Sequence, residues 1–209
     1  MNDYPDTFVD EPQPLPLDEL GPAGQAAARD LADKGYEIHA GLDRHYAEEI
    51  IAMAQEPAIK EYCPNDSGSR FASPKATEKW LGKRRGVFLL LKEDNGVKHL
   101  AGYGWAGPET SDKVPGARTT VALRIGQDAQ GQRLATPFTK LILDGAALLY
   151  GARDFWLETW GSNAGAVKVY HNLGFEDVTG ADAQRPSASQ GQVPDRRLYM
   201  SLPNDRLLD

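Results

Sequence analysis

Residues 157–175 read LETWGSNAGAVKVYHNLGF. The stretch opens on the end of an extended run, Asp154 to Thr159, rich in the aromatic and β-branched side chains that suit a pleated, half-buried surface. It then passes through small residues to Asn163. Asparagine is favoured at a helix start because its side-chain oxygen accepts an N–H that the first turn leaves unpaired. The spacing predicts a helix over Asn163–Asn172, with Gly174 ending it and a short strand running from Gly174 to Val178. The result is a strand–helix–strand unit.

Immediately upstream, residues 121–136 read VALRIGQDAQGQRLAT. A strand over Arg118–Ile125 enters a loop rich in glycine and glutamine, and a helix from about Leu134 to Tyr150 follows directly. Leu141, Leu143, Ala147 and Leu148 recur at core-packing spacing along that helix. Pro137 falls in its first turn, where the missing N–H has no helical partner to lose. Unpaired N–H groups and the helix dipole make such a start a ready anion site suited to a pyrophosphate. An ordinary strand-to-helix turn has the same sequence, and at this stage both readings stand.

Further out, the N-terminal half predicts a helix over residues 22–34, a strand over Tyr36–Leu42, and a helix that Asp43 caps, from Arg44 to about Gln55. A short helix then leads to Pro64, residues 65–73 read as a polar loop, and residues 74–81 as a helical turn or two. Asn95-Gly96 is a hairpin turn between strands Gly86–Lys92 and Val97–Trp105. Residues 106–116 form a turn-rich loop, and Arg196–Ser201 is a last strand after a polar, low-complexity excursion over 180–195. Hairpins come first and strand–helix–strand units later. The chain is therefore α/β, with a mixed central sheet of about six to seven strands flanked by helices on both faces.

The 209 residues suit one domain with appendages. We divide them into an acidic, proline-rich arm (1–21), an N-terminal helix (22–34) and the main domain (35–203). Residues 1–20 carry six acidic side chains (Asp3, Asp6, Asp10, Glu11, Asp18, Glu19) and no basic one. They hold −6 of the net −7, which leaves the rest near −1. Four prolines add to the expectation that this arm is extended with few buried contacts. No basic stripe points to nucleic acid, and no run approaches the roughly 18 apolar residues of a membrane span. The start has no secretory character, so the expected setting is the cytoplasm. Cys63 is the single cysteine; it excludes an internal disulfide, and an acyl-carrying role for it is a minor alternative. His39, His45, His99 and His171 share no metal spacing, and no metal is expected.

With Leu157, Glu158, Thr159, Asn163, Ala166, Tyr170, Gly174 and Phe175 in place, residues 157–175 resemble motif B of the GNAT N-acetyltransferase superfamily. Residues 121–136 resemble its motif A, in which a strand leads to Q/R-x-x-G-x-G/A. The motif falls on Gln130, Gly131, Gln132, Arg133, Leu134 and Ala135, and the glycine position at its centre is taken by Arg133. That side chain either crowds the cofactor or contacts a phosphate with its guanidinium. The resemblance implies the GNAT fold and acetyl-CoA as co-substrate. It implies cofactor contacts from Leu123, Ile125, Gln130, Gly131, Gln132, Arg133, Leu134, Ala135, Thr136, Asn163 and Tyr170. Tyr170 matches the position that usually supplies the acid for the departing thiolate. Glu158 resembles the glutamate that serves as base, often through water, in ribosomal-protein N-terminal alanine acetyltransferases.

The expected activity is therefore direct transfer of an acetyl group from acetyl-CoA to a primary amine, on a small molecule or on a protein. Two other classes stay open: a non-catalytic acyl-CoA-binding module, which Arg133 favours, and an interaction protein working through its acidic arm. The resemblance leaves a homodimer open. Acceptor choice is expected to lie in the first helices and in segments 62–80 and 106–117. Tyr62, Phe71, Trp80, Tyr103, Trp105 and Trp160 lie in or near that side; most are expected in the core and one or two in the pocket.

Overall fold

The computed structural model describes residues 9–81, 83–178, 184–185 and 195–203. Strand β1 (Gln13–Pro14) and a 3₁₀ turn (Leu17–Glu19) precede helix α1 (Pro22–Asp33) and β2 (Tyr36–Ala40). Helices α2 (Arg44–Met53), α3 (Pro57–Tyr62) and α4 (Pro74–Leu81) follow, with a π-helical turn over Asp66–Arg70. The remaining strands are β3 (Gly86–Asp94), β4 (Val97–Pro108), β5 (Thr119–Ile125), β6 (Phe155–Trp160), β7 (Glu176–Asp177), β8 (Gln184–Arg185) and β9 (Asp195–Ser201). Helix α5 (Ala135–Tyr150) joins β5 to β6, and α6 (Ala164–Asn172) follows β6.

One mixed sheet runs in the order β1-β2-β3-β4-β5-β6-β9-β7, with β8 paired to β9 off that path. The architecture is the expected α/β sandwich of a mixed sheet between helices. The strand count is slightly higher than six to seven because two-residue strands form where the sequence reads as an arm and as an excursion. Proline-rich residues 12–16 carry no strand pattern, yet Gln13 and Pro14 pair with Ala40 and His39 at the sheet edge, where a proline is tolerated. Leu15 and Leu20 are buried in the core, so the expectation of few buried contacts fails for this part of the arm. The rest of the 180–195 excursion lies outside the described residues.

Strand β3 shows why the sheet is covered twice. Its apolar run GVFLLLK is buried without a break from Gly86 to Leu91. Phe88 and Leu90 pack into a core with α1, α5 and α6. Val87, Leu89 and Leu91 pack into a second core with α2, α3 and α4. A continuous hydrophobic strand is the pattern of a sheet buried on both faces. Helix α5 lies close on the sheet at Gly104, where a Cβ would come within 2.4 Å of Ile142 Cδ1.

Strands β5 and β6 are parallel neighbours, and their register contains two pairs, Thr119↔Phe155 and Thr120↔Trp156. Beyond Thr120 and Trp156 the two strands part, and residues of both line a single cavity. On the outer side β9 takes up β6 over five pairs, from Trp156↔Ser201 to Trp160↔Arg197. The fold thus opens its own sheet in the middle.

Candidate active site

The cavity between the parted strands has a volume of about 510 Å³. Four segments build the side nearest the split. Strand β5 supplies Val121 through Ile125, β6 supplies Glu158 and Thr159, α6 supplies Ala166, Val169 and Tyr170, and the start of α5 supplies Leu134 and Ala135.

The α5 start has the character of an anion cradle. Gly126 closes the β5 end by donating to Ala101 O at 2.9 Å, and a 3₁₀ turn over Gln127–Ala129 aims the chain at the helix. No side chain caps α5, and Pro137 takes one of its N-terminal positions. Gly131 (φ 78°) and Arg133 (φ 59°) both adopt the left-handed backbone region. Glycine reaches that region freely, whereas an L side chain pays roughly 1–2 kcal/mol. Arg133 therefore keeps the backbone shape of a glycine position while lining the cavity with a longer residue.

The structure brings most of the expected residues together. Leu123, Ile125, Gln130, Gly131, Arg133, Leu134, Ala135, Glu158, Asn163 and Tyr170 all line the cavity. Gln132 and Thr136 do not. Gln132 turns away to accept from the Tyr36 hydroxyl at 2.8 Å and to donate to Asp128 O at 3.1 Å. Asn163 caps α6 by accepting from Ala166 N at 3.2 Å, so one residue fixes the helix start and faces the cavity.

Tyr170 is buried, with its ring edge-on to Phe175 at 5.8 Å. Burial pushes its hydroxyl up to about 12; nearby Arg124 pulls the other way and Cys63 adds to the rise. Tyr170 therefore holds its proton across the neutral range. Glu158 sits on β6 at the cavity edge, and its Oε1 is 3.1 Å from Arg197 Nη1. The Arg197 guanidinium lies over the Trp160 ring, 3.9 Å from its centroid, which fixes the carboxylate's neighbour.

A second set of residues has no counterpart in the motifs. Asp66, with no solvent exposure, accepts from Arg124 Nε at 2.7 Å and from Arg70 Nη1 at 3.2 Å. Residues 65–73 are thus more than a polar loop: the π-helical turn carries a buried carboxylate to the back of the cavity wall. Tyr62, Cys63, Arg70, Trp80, Trp105, Glu109, Arg124, Trp156 and Arg197 face the cavity from this side. Of the six aromatic candidates, three rather than the expected one or two line it (Tyr62, Trp80 and Trp105), while Phe71 and Tyr103 fill the second core and Trp160 is buried away from the lining. Trp156, which no motif marks, also lines the cavity, and its indole donates to Glu109 O at 2.8 Å. Burial pushes the Cys63 thiol up, against the pull of Arg124, which leaves it neutral. Among the described residues no group of three or more His, Cys, Asp or Glu could hold a metal ion. Nor is any helix there long and apolar enough to cross a membrane.

A mixed sheet that parts over an uncapped helix start defines the class: an α/β scaffold with an anion-suited cavity at its split. The family model described as "Acetyltransferase (GNAT) domain" matches residues 41–176, more than half of the chain. The chain belongs to the GNAT acetyltransferase family. Comparison with curated proteins gives no match. Among solved structures, the spermidine N-acetyltransferase from Vibrio cholerae, in complex with CoA and spermine, superposes with a TM-score of 0.61 at 17% identity, over 84% of this chain and 99% of that one. The yncA protein from Salmonella typhimurium, with its cofactor acetyl-CoA, gives 0.57 at 19% identity, over 82% and 94%. The ribosomal-protein-S5-alanine acetyltransferase from Vibrio fischeri gives 0.61 at 15% identity, over 82% and 94%. At these identities the likeness is one of fold.

Proposed function

We propose that the protein transfers an acetyl group from acetyl-CoA directly to a primary amine. One observation carries the reading. A single cavity connects an uncapped helix start, which suits a pyrophosphate, to a buried tyrosine and an exposed glutamate on the far side of the parted strands. The donor set at the α5 end, backbone N–H groups of residues 134 and 135 with the Arg133 guanidinium, fits the phosphates of acetyl-CoA. Strand β5 past Thr120 is released from β6, so its backbone can bond the pantetheine arm.

In this reading the amine nitrogen attacks the thioester carbonyl, a C–N bond forms, and the C–S bond breaks. Glu158, directly or through water, takes the proton that the amine sheds. Tyr170 gives its proton to the departing sulfur. The products are the amide and free CoA, and the Tyr170 proton is restored from solvent through the cavity. Retention of Tyr170 and Glu158 on one cavity supports catalysis over a cofactor-binding module that has lost it. Acetyl-CoA at a hundredfold excess over its dissociation constant should stabilise the fold by about 2.7 kcal/mol. A melting temperature unmoved by millimolar acetyl-CoA or longer acyl-CoAs would remove the basis of this assignment.

A further inference from the structure

The acceptor side of the cavity holds more guanidinium than carboxylate. Glu109 is matched by Arg85, and Glu158 by Arg197, each one to one. Asp66 is shared: Arg124 takes Oδ2 and Arg70 takes Oδ1. One carboxylate cannot neutralise two guanidiniums, so this wall carries a surplus positive charge. Arg133 adds another, but at the α5 end, where it faces phosphate in the proposed reading.

The surplus is reachable. The Arg124 side chain is 11% exposed and that of Arg70 23%, and both line the cavity, whereas Asp66 is sealed behind them at 0%. Arg124 also lies over Trp105 (5.1 Å to the centroid) and Arg70 over Trp80 (4.3 Å), so neither guanidinium is free to swing out into solvent without losing a ring contact. Trp80 lines the same wall, although its indole Nε1 is itself sealed and finds no acceptor among the described residues. Two guanidiniums beside one aromatic wall are a donor set for an anion.

We propose that the acceptor amine carries a carboxylate on the same molecule, bound by Arg70 and Arg124 against the Trp80–Trp105 wall. The inference rests on the amine-acetyltransferase reading and narrows its substrate. Fork-shaped guanidiniums suit a planar carboxylate, and the aromatic rings suit an apolar side chain beside it. A polyamine such as spermidine would enter against the surplus charge, so fold similarity to a spermidine enzyme does not carry its substrate over.

The test compares matched amines by thiol release from acetyl-CoA: phenylalanine against phenethylamine, and lysine against cadaverine, with spermidine alongside. Wild type should favour the carboxylate member of each pair by about 10- to 100-fold in kcat/KM, the range of a charge-assisted contact. Arg70→Gln should collapse that ratio towards one, and Arg70→Lys should keep part of it, with circular dichroism melts reporting the fold of each. Preference for cadaverine or spermidine over lysine would overturn the inference while leaving the transferase reading intact. So would a ratio untouched by Arg70→Gln in folded protein. A preference for succinyl-CoA over acetyl-CoA with acceptors treated alike would assign the guanidiniums to the acyl group instead, which also overturns it. Thiol release that none of these amines and no peptide N-terminus or peptide lysine accelerates would sink the transferase reading itself.

Discussion

Asp66 and Arg124 form an ion pair, Oδ2 to Nε 2.7 Å, in which the carboxylate has no solvent exposure. Fifty-eight residues separate them in the chain. The pair pins the π-helical turn after α3 to the half of β5 that parts from β6, and so sets the back wall of the cavity. Arg124 also donates to Leu123 O at 2.7 Å, which locks its own side chain against the strand. Burial works most strongly against the Arg124 charge and Asp66 works for it, and the net effect of its surroundings keeps the guanidinium protonated.

Breaking this pair should be costly. Asp66→Asn leaves Arg124 and Arg70 without their shared counter-charge, and removing one partner of a buried pair costs about 3–5 kcal/mol. Urea unfolding at neutral pH measures it. A loss below about 1 kcal/mol, the size expected of an exposed pair, would contradict this role.

Arg133 should show opposite effects on stability and on binding. Its φ of 59° is one that glycine adopts without strain. Arg133→Gly relieves roughly 1 kcal/mol or more of backbone strain, partly offset by the greater freedom of glycine in the unfolded chain. The same change removes a guanidinium from the phosphate end and should weaken acetyl-CoA binding by about 1.5–3 kcal/mol. Calorimetric titration of both forms decides; tighter binding by the glycine variant would mean the side chain crowds the cofactor.

Tyr170→Phe should lower turnover by roughly 10²–10⁴-fold, the contribution of a positioned acid, with acetyl-CoA affinity little changed. The pH dependence has a definite sign. Burial pushes the Tyr170 hydroxyl up to about 12, so the acid form persists below that pH and is lost only above it. The wild-type profile should therefore show no descending limb from Tyr170 up to about pH 10, the unperturbed tyrosine value. A limb below pH 10 that vanishes in Tyr170→Phe would contradict the upward shift of its hydroxyl, and a Tyr170→Phe variant that keeps more than about half of wild-type turnover would contradict the acid assignment.

Glu158→Gln should act on the other proton. The rate of the variant should depend on free amine already deprotonated in solution, which steepens its loss at low pH and removes the assisted rate there. Rate profiles over pH 6–9 for both enzymes, with the double variant, check this. The two losses should fall short of multiplying, because both residues serve one proton path. Identical profiles for wild type and Glu158→Gln would remove the base.

The parts of this structure that follow from local rules were legible. Asn163 at a cap position, Gly174 at a helix end and Asn95-Gly96 in a hairpin each act over a few residues, and each sits where its own conformational preference places it. The resemblance to motif A gave Leu123 and Ile125 on β5, and strand alternation puts Arg124 on the opposite face, a signal present in the sequence. Asp66 was not readable. DSGSR has no apolar period, and its partner Arg124 is fixed only by tertiary packing. Edge pairing of Gln13 and Pro14 was likewise hidden, because a proline-rich arm gives no strand pattern until a sheet edge is there to receive it. Trp156, Glu109 and Arg197 reach the cavity through strand register and a loop return, neither of which residue type encodes.

The most direct test of the central claim is thiol release from acetyl-CoA by purified protein, measured with and without a panel of primary amines. The account predicts release that depends on the amine, yields one equivalent of N-acetylated product per thiol, and falls by at least about a hundredfold in Tyr170→Phe. Release that is independent of every amine, or equal in wild type and Tyr170→Phe, would contradict it.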